Sequence, residues 1–371
     1  MKVLYWTLHF WPDIGGIEVL TMKTLPAMQK RNHEFIIIAS HSEMESAAET
    51  RYRGIPVYRF PFWHALARRD LRQIVKIKQQ IAVLKRTFKP DLIHLHYPGH
   101  IAYFHINTLG PQPPPTLLTI HTPFPAARGG TDTLFGQTVR SADWVTTVSK
   151  ATLSDMIQLV PEIRSRSSVI YNGLPAPRLS PRMLCFVRPQ ILYVGRLAAE
   201  KGVDVAVNAF AMIFKRFPSA RFKIAGDGPA RAELEHQVAT LGLTDAVEFT
   251  GWIPPEKIPA LINKCTLVVV PSRYREPFGL IAVEAAQMAR PVVAARTGGL
   301  RETVAHQQTG LLFENEDAAA LAKEIAFLLN HPDTAVQMGQ AGRCRALKIF
   351  SLEKFVAAYD KLYLRLTKEA A

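Results

Sequence analysis

Cysteine is scarce in this chain: Cys185, Cys265 and Cys344 are the only three in 371 residues. They lie far apart and form no C-x-x-C pair. This excludes a disulfide framework and a thiolate zinc site, and it fits a reducing compartment. No apolar run approaches the roughly 18 residues that a membrane-spanning helix needs. Residues 1–8 hold one lysine among apolar, polar and aromatic residues and read as a strand, not as a signal peptide. Biased tracts are missing too. With 48% hydrophobic and 20% charged residues, Pro 26 and Gly 21, the composition excludes a disordered or fibrous protein. The length suits two domains, or one large α/β barrel.

Acidic side chains are in short supply. Against 45 Lys+Arg stand 31 Asp+Glu, a net charge of +14. Such a chain prefers polyanions: nucleic acid, anionic lipid or phosphorylated substrates. The excess is uneven. Residues 1–185 hold 22 basic and 12 acidic side chains, a net of +10, whereas residues 186–371 hold 23 and 19, a net of +4.

What is present is one pattern used twice. An apolar strand at residues 2–8 leads through Gly15-Gly16 into a helical pattern over 17–29. A second strand at 190–195 leads through Gly195 and Gly202 into a helix over 203–214. Further short apolar runs occupy 34–39, 91–96, 116–120, 143–148 and 168–171, then 221–226, 246–251, 265–270 and 291–295. Such runs, alternating with helical stretches, imply parallel sheets covered on both faces. Residues 172–190 contain Pro175, Pro177, Pro181 and Pro189 and read as an inter-domain linker. The expected α/β architecture is two Rossmann-like domains, 1–180 and 181–350, whose sheets face each other across a cleft. An amphipathic helix over 351–371 would return to the first domain. Ligands bind such sheets at the carboxyl ends of the strands.

Two motifs follow strands in the second half. The run Gly195-Arg196-Leu197-Ala198-Ala199-Glu200-Lys201-Gly202 opens a helix. Its glycines allow close backbone approach, and Arg196 and Lys201 suit a diphosphate. The plainer reading is a surface loop with two solvated charges. The run from Pro271 to Ala285 places Glu276 on a loop and Glu284 in the first turns of a helix, with Gly279 between. Two carboxylates at this spacing can accept hydrogen bonds from two sugar rings; Glu284 also fits a plain helix-dipole partner. Gly298-Gly299 forms a third glycine pair. His94 and His96 face one side of a strand. Without further ligands they read as packed or cleft-lining histidines, not a zinc site.

The ordered set Gly15-Gly16-x-Glu18, Gly195–Gly202, Gly226-Asp227-Gly228-Pro229 and Glu276-x7-Glu284 resembles a GT-B fold retaining glycosyltransferase of glycosyltransferase family 4. The resemblance spans nearly the whole chain and is densest over 190–313. It implies a UDP- or GDP-sugar donor held by the C-terminal domain. Arg196 and Lys201 would bind the diphosphate, Glu284 the ribose hydroxyls, and Glu276 the hexose near its 3-hydroxyl. The backbone of Gly16, preceded by Gly15, would reach the diphosphate as the cleft closes. Ile253, in Gly251-Trp252-Ile253-Pro254, would border the nucleobase. Gly195, Gly226, Phe278, Gly279 and Leu280 complete the implied donor site. His121, after the run 116–120, would lie near the sugar's 6-hydroxyl and reacting carbon. His121, Glu276, Arg196 and Lys201 form the implied catalytic set.

The resemblance also implies front-side attack with retention of configuration. Departure of the nucleoside diphosphate builds negative charge, which fixed cations and helix N-termini stabilise. The chain contains no D-x-D, so positive side chains are expected in place of a metal ion, and no metal or cofactor is expected. The acceptor would be a hydroxyl of a glycan, a small molecule or a lipid-linked or phosphorylated compound. Competing classes are a nucleotide-sugar epimerase of related fold and a non-catalytic binder of nucleotide-sugars or polyanions. No nucleic-acid motif is present, and no nucleic-acid partner is expected.

Over residues 68–89, Leu71, Ile74, Ile77, Ile81, Leu84 and Phe88 recur at helical spacing. Arg68, Arg69, Arg72 and Lys76 follow another face, with Lys85, Arg86 and Lys89 beyond. This predicts a basic amphipathic helix that either docks on anionic lipid or presents a solvated face. The expected location is the cytoplasm, with peripheral association at the inner face of the membrane as the extension of the first alternative.

Overall fold

The computed structural model describes residues 1–13, 15–40, 49–122, 124, 130 and 132–369. It divides into two compact units: Met1–Asn172 with Glu353–Ala371, and Gly173–Leu352.

The first unit contains β1 (Lys2–Trp6), β2 (Glu34–Ser40), β3 (Glu49–Tyr52), β4 (Ile55–Phe60), β5 (Leu92–Leu95), β6 (Thr116–Ile120), β7 (Trp144–Thr147) and β8 (Ser167–Val169). They form one sheet in the order β3-β4-β2-β1-β5-β6-β7-β8. Only the edge pair β3–β4 is antiparallel. The second unit contains β9 (Gln190–Val194), β10 (Arg221–Ala225), β11 (Val247–Gly251), β12 (Leu267–Val270), β13 (Val292–Ala295) and β14 (Gly310–Phe313). Its sheet is wholly parallel, in the order β11-β10-β9-β12-β13-β14. In both units the chain builds outward on one side of its first strand and then crosses to the other. The switch falls between β1 and β5, and between β9 and β12.

Side-chain alternation explains why both faces of the second sheet are covered. Ile191, Tyr193, Leu267, Val269, Val293 and Ala295 enter one buried cluster. Their neighbours Leu192, Val268, Val270, Val292 and Ala294 enter the other. Successive strand residues point to opposite faces, so a continuous apolar run such as Leu267–Val270 feeds two cores at once. Each fully buried Val or Leu contributes about 1.5–3 kcal/mol.

The proline-rich stretch belongs to the second unit, and the division falls at Asn172/Gly173, ahead of the expected 180/181. Polar side chains strap this stretch down. Asn263 donates to Ser180 O (2.8 Å) and accepts from Arg182 N (2.8 Å). Arg290 donates to Arg182 O (2.8 Å), and Thr266 to Cys185 O (2.7 Å). The segment is therefore an ordered strap, not a free linker.

The helix Leu352–Glu369 lies in the first unit from Glu353 onward and buries Phe355, Val356, Tyr359, Leu362, Tyr363 and Leu366 at helical spacing. Its Asp360 accepts from Arg31 (2.8 Å) and pairs with His33 (2.7 Å). Ala370 and Ala371 lie outside the described residues. The basic helix runs Leu71–Phe88, capped by Asp70, which accepts from Gln73 N. Ile74, Ile77 and Ile81 are buried. Leu71, placed on the apolar stripe by spacing, is 74% exposed because it opens the helix. Lys85 turns inward and donates to Thr108 Oγ1 (2.9 Å) and His105 O (3.1 Å). Among the described residues, no helix is long and apolar enough to cross a membrane.

Candidate active site

The switch between β9 and β12 brings two loops side by side. The loop after β9 ends in a 3-10 turn, Ala199–Lys201, and Gly202 opens the helix Val203–Phe214. The loop after β12 runs from Pro271 to Gly279, which opens the helix Leu280–Gln287. Gly202 has φ 65° and Gly279 φ 85°, the left-handed region that favours glycine. Space demands glycine as well: a Cβ on Gly202 would lie 2.1 Å from Pro271 O. Neither helix has a side-chain cap. Their first N–H groups therefore remain for a ligand, where the helix dipole favours an anion.

Lys201 and Glu276 meet between these loops. Lys201 Nζ donates to Glu276 Oε2 (3.0 Å) and to Tyr274 Oη (3.0 Å). Ser272 donates to Glu276 Oε2 (3.0 Å), and Tyr274 donates to Glu276 Oε1 (2.9 Å). Lys201 also sits 4.5 Å from the centroid of the Tyr274 ring. Burial, and then the negative charge of Glu276, push the Tyr274 phenol well above its ordinary range. It therefore stays protonated and donates. A carboxylate offers about four acceptor positions; three are taken here, and one is left.

Neighbouring loops fix this arrangement. Gly195 N donates to Ala225 O (2.9 Å), and Gly226 N to Gly251 O (2.8 Å). A Cβ on Gly226 would stand 1.8 Å from Gly195 O. Gly298 has φ 49° and faces Glu276 O, where a Cβ would stand 2.1 Å away. Gly299 N donates to that same carbonyl (2.7 Å). The glycines thus serve loop-to-loop contact after β9, β10 and β13.

The other expected site residues take different positions. Arg196 is exposed and bonds to Glu200. The structure thus brings Lys201 together with Glu276 and pairs Arg196 with a neighbour on its own loop. Phe278 turns inward, 2% exposed, with its ring edge-on to Phe350 at 5.5 Å; only its backbone can meet a ligand. Leu280 and Glu284 are half-buried on the helix that Gly279 opens, and Ile253 is half-buried beyond β11. Sequence reasoning missed Ser272 and Tyr274. A signal was there: positions 272, 274 and 276 alternate, so an extended loop turns them to one side.

In the first unit, Gly15 is extended (φ −154°, ψ 176°) and opens the helix Gly16–Gln29 without a side-chain cap. His121 follows β6 and is buried. Its Nε2 lies 2.8 Å from His96 Nδ1, and His96 Nε2 lies 3.3 Å from His94 Nδ1. Burial holds the His121 imidazole down at about 4. Burial, reinforced by the neighbouring imidazoles, holds His94 and His96 well below the ordinary range. Among the described residues, no group of three or more His, Cys, Asp or Glu is arranged to hold a metal ion.

Known proteins share this architecture. Sucrose-phosphate synthase from Thermosynechococcus elongatus matches with a TM-score of 0.84 at 23% identity, over 99% of each chain. Anabaena HepE, solved in complex with UDP-glucose, matches with a TM-score of 0.76 at 22% identity, over 98% of this chain and 99% of that one. The fold is therefore GT-B. The family described as Glycosyl transferases group 1 matches residues 187–345, and Glycosyltransferase Family 4 matches residues 14–178. Glycogen synthase of Mycobacterium tuberculosis is 30% identical over 290 residues, covering 75% of this chain and 70% of that enzyme. Alpha-D-kanosaminyltransferase of Streptomyces kanamyceticus is 39% identical over 153 residues. That match covers 41% of this chain and only 39% of that enzyme's length. The chain belongs to glycosyltransferase family 4, the group 1 glycosyl transferases, and is a glycosyltransferase.

Proposed function

We propose that this glycosyltransferase moves a hexosyl group from a UDP- or GDP-sugar to a hydroxyl acceptor, with retention of configuration and without a metal ion. The observation that carries this reading is the Lys201–Glu276 pair at the β9/β12 switch, between two uncapped helix N-termini. Lys201 has three N–H donors, two of them engaged, so the third serves a diphosphate oxygen. The remaining acceptor position of Glu276 takes a hexose hydroxyl. Glu284 takes the ribose, Ile253 borders the base, and Arg196 leaves Glu200 to add charge at the phosphates. HepE, of the same fold, was solved with UDP-glucose, which supports a nucleotide-sugar donor.

In the reaction, the bond between the anomeric carbon and the β-phosphate oxygen breaks, and its electron pair stays on that oxygen. The acceptor oxygen bonds to the same face of the anomeric carbon, and its proton passes to the leaving phosphate. Charge builds on the diphosphate, where Lys201 and the helix N-termini act. The acceptor is phosphorylated or lipid-linked, consistent with the +10 of residues 1–185. A thermal-shift panel of UDP- and GDP-sugars tests the reading. At least one donor should raise Tm in the unaltered protein and fail to do so in Lys201→Met. A panel without any shift would refute it.

A further inference from the structure

His94, His96 and His121 form a continuous chain in the interior of the first unit. His94 Nδ1 lies 2.6 Å from Tyr363 Oη, and His94 Nε2 lies 2.7 Å from Thr119 Oγ1. His96 bridges from His94 to His121, and its ring stacks on His121 at 5.1 Å and 19°. The tyrosine sets the direction of every proton in this chain. The Tyr363 hydroxyl has one hydrogen, and among the described residues His94 Nδ1 is its one partner. The neutral His94 then carries its proton on Nε2 and donates to Thr119. His94 Nδ1 has a single lone pair, which the Tyr363 hydrogen takes at 2.6 Å; at 3.3 Å an N–H of His96 shares that lone pair, whereas a second lone pair there would be repulsive, so His96 carries its proton on Nε2. His96 Nδ1 is then an acceptor and receives the Nε2–H of His121. The last atom, His121 Nδ1, is left as a bare lone pair. It is buried and has no partner among the described residues. An unsatisfied buried nitrogen is destabilising, and one kept in a native structure calls for a reason.

We infer that Tyr363, His94 and His96 are positioning residues that fix the proton of His121 on Nε2 and keep Nδ1 as an acceptor for a substrate hydroxyl. The inference rests on the proposed glycosyl transfer, together with the family resemblance, which implies that His121 lies near the sugar. The surroundings suit a neutral relay. The Tyr5 ring lies 4.2 Å from that of His96, and the Tyr359 ring 5.2 Å from that of His94. The hydroxyls of Thr119, Thr146 and Tyr359 are bonded to one another. Among the described residues, no carboxylate bonds to any of the three imidazoles, so nothing there holds a second proton on them.

The test uses the full chain labelled with ¹⁵N-histidine. Ring nitrogens with and without a proton differ clearly in ¹⁵N shift, and His121 is assigned through His121→Asn. The relay predicts a protonated Nε2 and a bare Nδ1 on His121. Tyr363→Phe removes the hydrogen that pins His94, so both tautomers of His121 become populated. The kcat for transfer then falls about tenfold, the effect of one lost hydrogen bond, with donor KM unchanged. Thr119→Val should act in the same direction, and Thr119→Ser should restore both readouts. A proton on His121 Nδ1 in the unaltered protein, or an unchanged tautomer in Tyr363→Phe, overturns the relay. A shifted tautomer with unchanged kcat overturns its role in the reaction. Failure of the glycosyl-transfer reading looks different: no donor would bind, whatever the tautomer.

Discussion

Lys201 and Glu276 stand 75 positions apart in the chain, yet Lys201 Nζ lies 3.0 Å from Glu276 Oε2. The fold makes this contact by laying the loop after β9 beside the loop after β12. Tyr274 bonds to both partners, so the three side chains form one hydrogen-bonded group. A diphosphate arriving at Lys201 would therefore be sensed at Glu276, where the hexose is proposed to sit.

This coupling gives the first prediction. Lys201→Met keeps the stem and removes the charge, and should lower kcat by about 10²–10³. Glu276→Gln keeps the shape but leaves Lys201 without its counter-ion, and should also lower kcat. Their effects should be strongly non-additive, because the two residues share partners. A double-mutant cycle in steady-state kinetics measures this; additive losses would show that the two act separately.

A second prediction concerns the glycines that join the loops. Gly298→Ala combines a left-handed φ of 49° with a Cβ 2.1 Å from Glu276 O. It should destabilise the protein by about 1–3 kcal/mol and also impair donor binding, since it displaces Glu276. Gly242→Ala separates the two effects. Its φ is 67°, with nothing within 4 Å of the new Cβ, so it should cost about 1 kcal/mol and leave donor binding intact. Urea denaturation together with donor thermal shift distinguishes them.

Where apolar runs were long enough to fill two cores, the strands were legible. The helix Val203–Phe214 was legible to the residue, because Gly202 marks its start. The hairpin β3–β4 was not. Its turn is Arg53-Gly54, both at positive φ, and its edge strand carries polar residues with no apolar alternation. β14 was not legible either: Gly310-Leu311-Leu312-Phe313 opens on glycine and holds no β-branched residue, unlike the equally short β12 and β13. At the site, spacing pointed to Lys201 and Glu276 singly, since each follows a strand. That they pair with each other, and that Arg196 pairs with Glu200, depends on loop paths that a parallel sheet sets only once it is assembled. His94 and His96 read as packed histidines, and so they are. Their link to His121 and Tyr363 runs between strands and a helix distant in sequence, and no local pattern records it.

The basic helix gives a third prediction. Arg68, Arg69, Arg72 and Lys76 are exposed, beside the exposed apolar side chains of Trp63, Leu71 and Val75. Cations beside an aromatic and aliphatic patch suit an anionic bilayer, at about 1 kcal/mol per basic residue. The protein should sediment with phosphatidylserine-containing vesicles, less so as salt rises. Replacing the four basic residues with glutamine should lower the affinity at least tenfold. Equal binding to neutral vesicles, or no change in the variant, would assign this helix to a solvated face.

The last prediction follows from the buried imidazoles. In the unfolded chain a histidine titrates near 6.5, whereas folding holds His121 down at about 4 and His94 and His96 well below their ordinary range. Between these values the unfolded state binds more protons than the folded one, so stability falls as the pH falls. The contribution of neutral, buried imidazoles is complete above about 6.5 and is lost progressively toward 4. Chemical denaturation at fixed ionic strength should therefore show ΔG of unfolding declining across that window. His96→Gln, which carries no titratable ring, should be less stable at pH 7.5 but should show a shallower decline. If the slopes are equal, the histidine chain does not set the acid limit of this fold, and the carboxylates that titrate below it do.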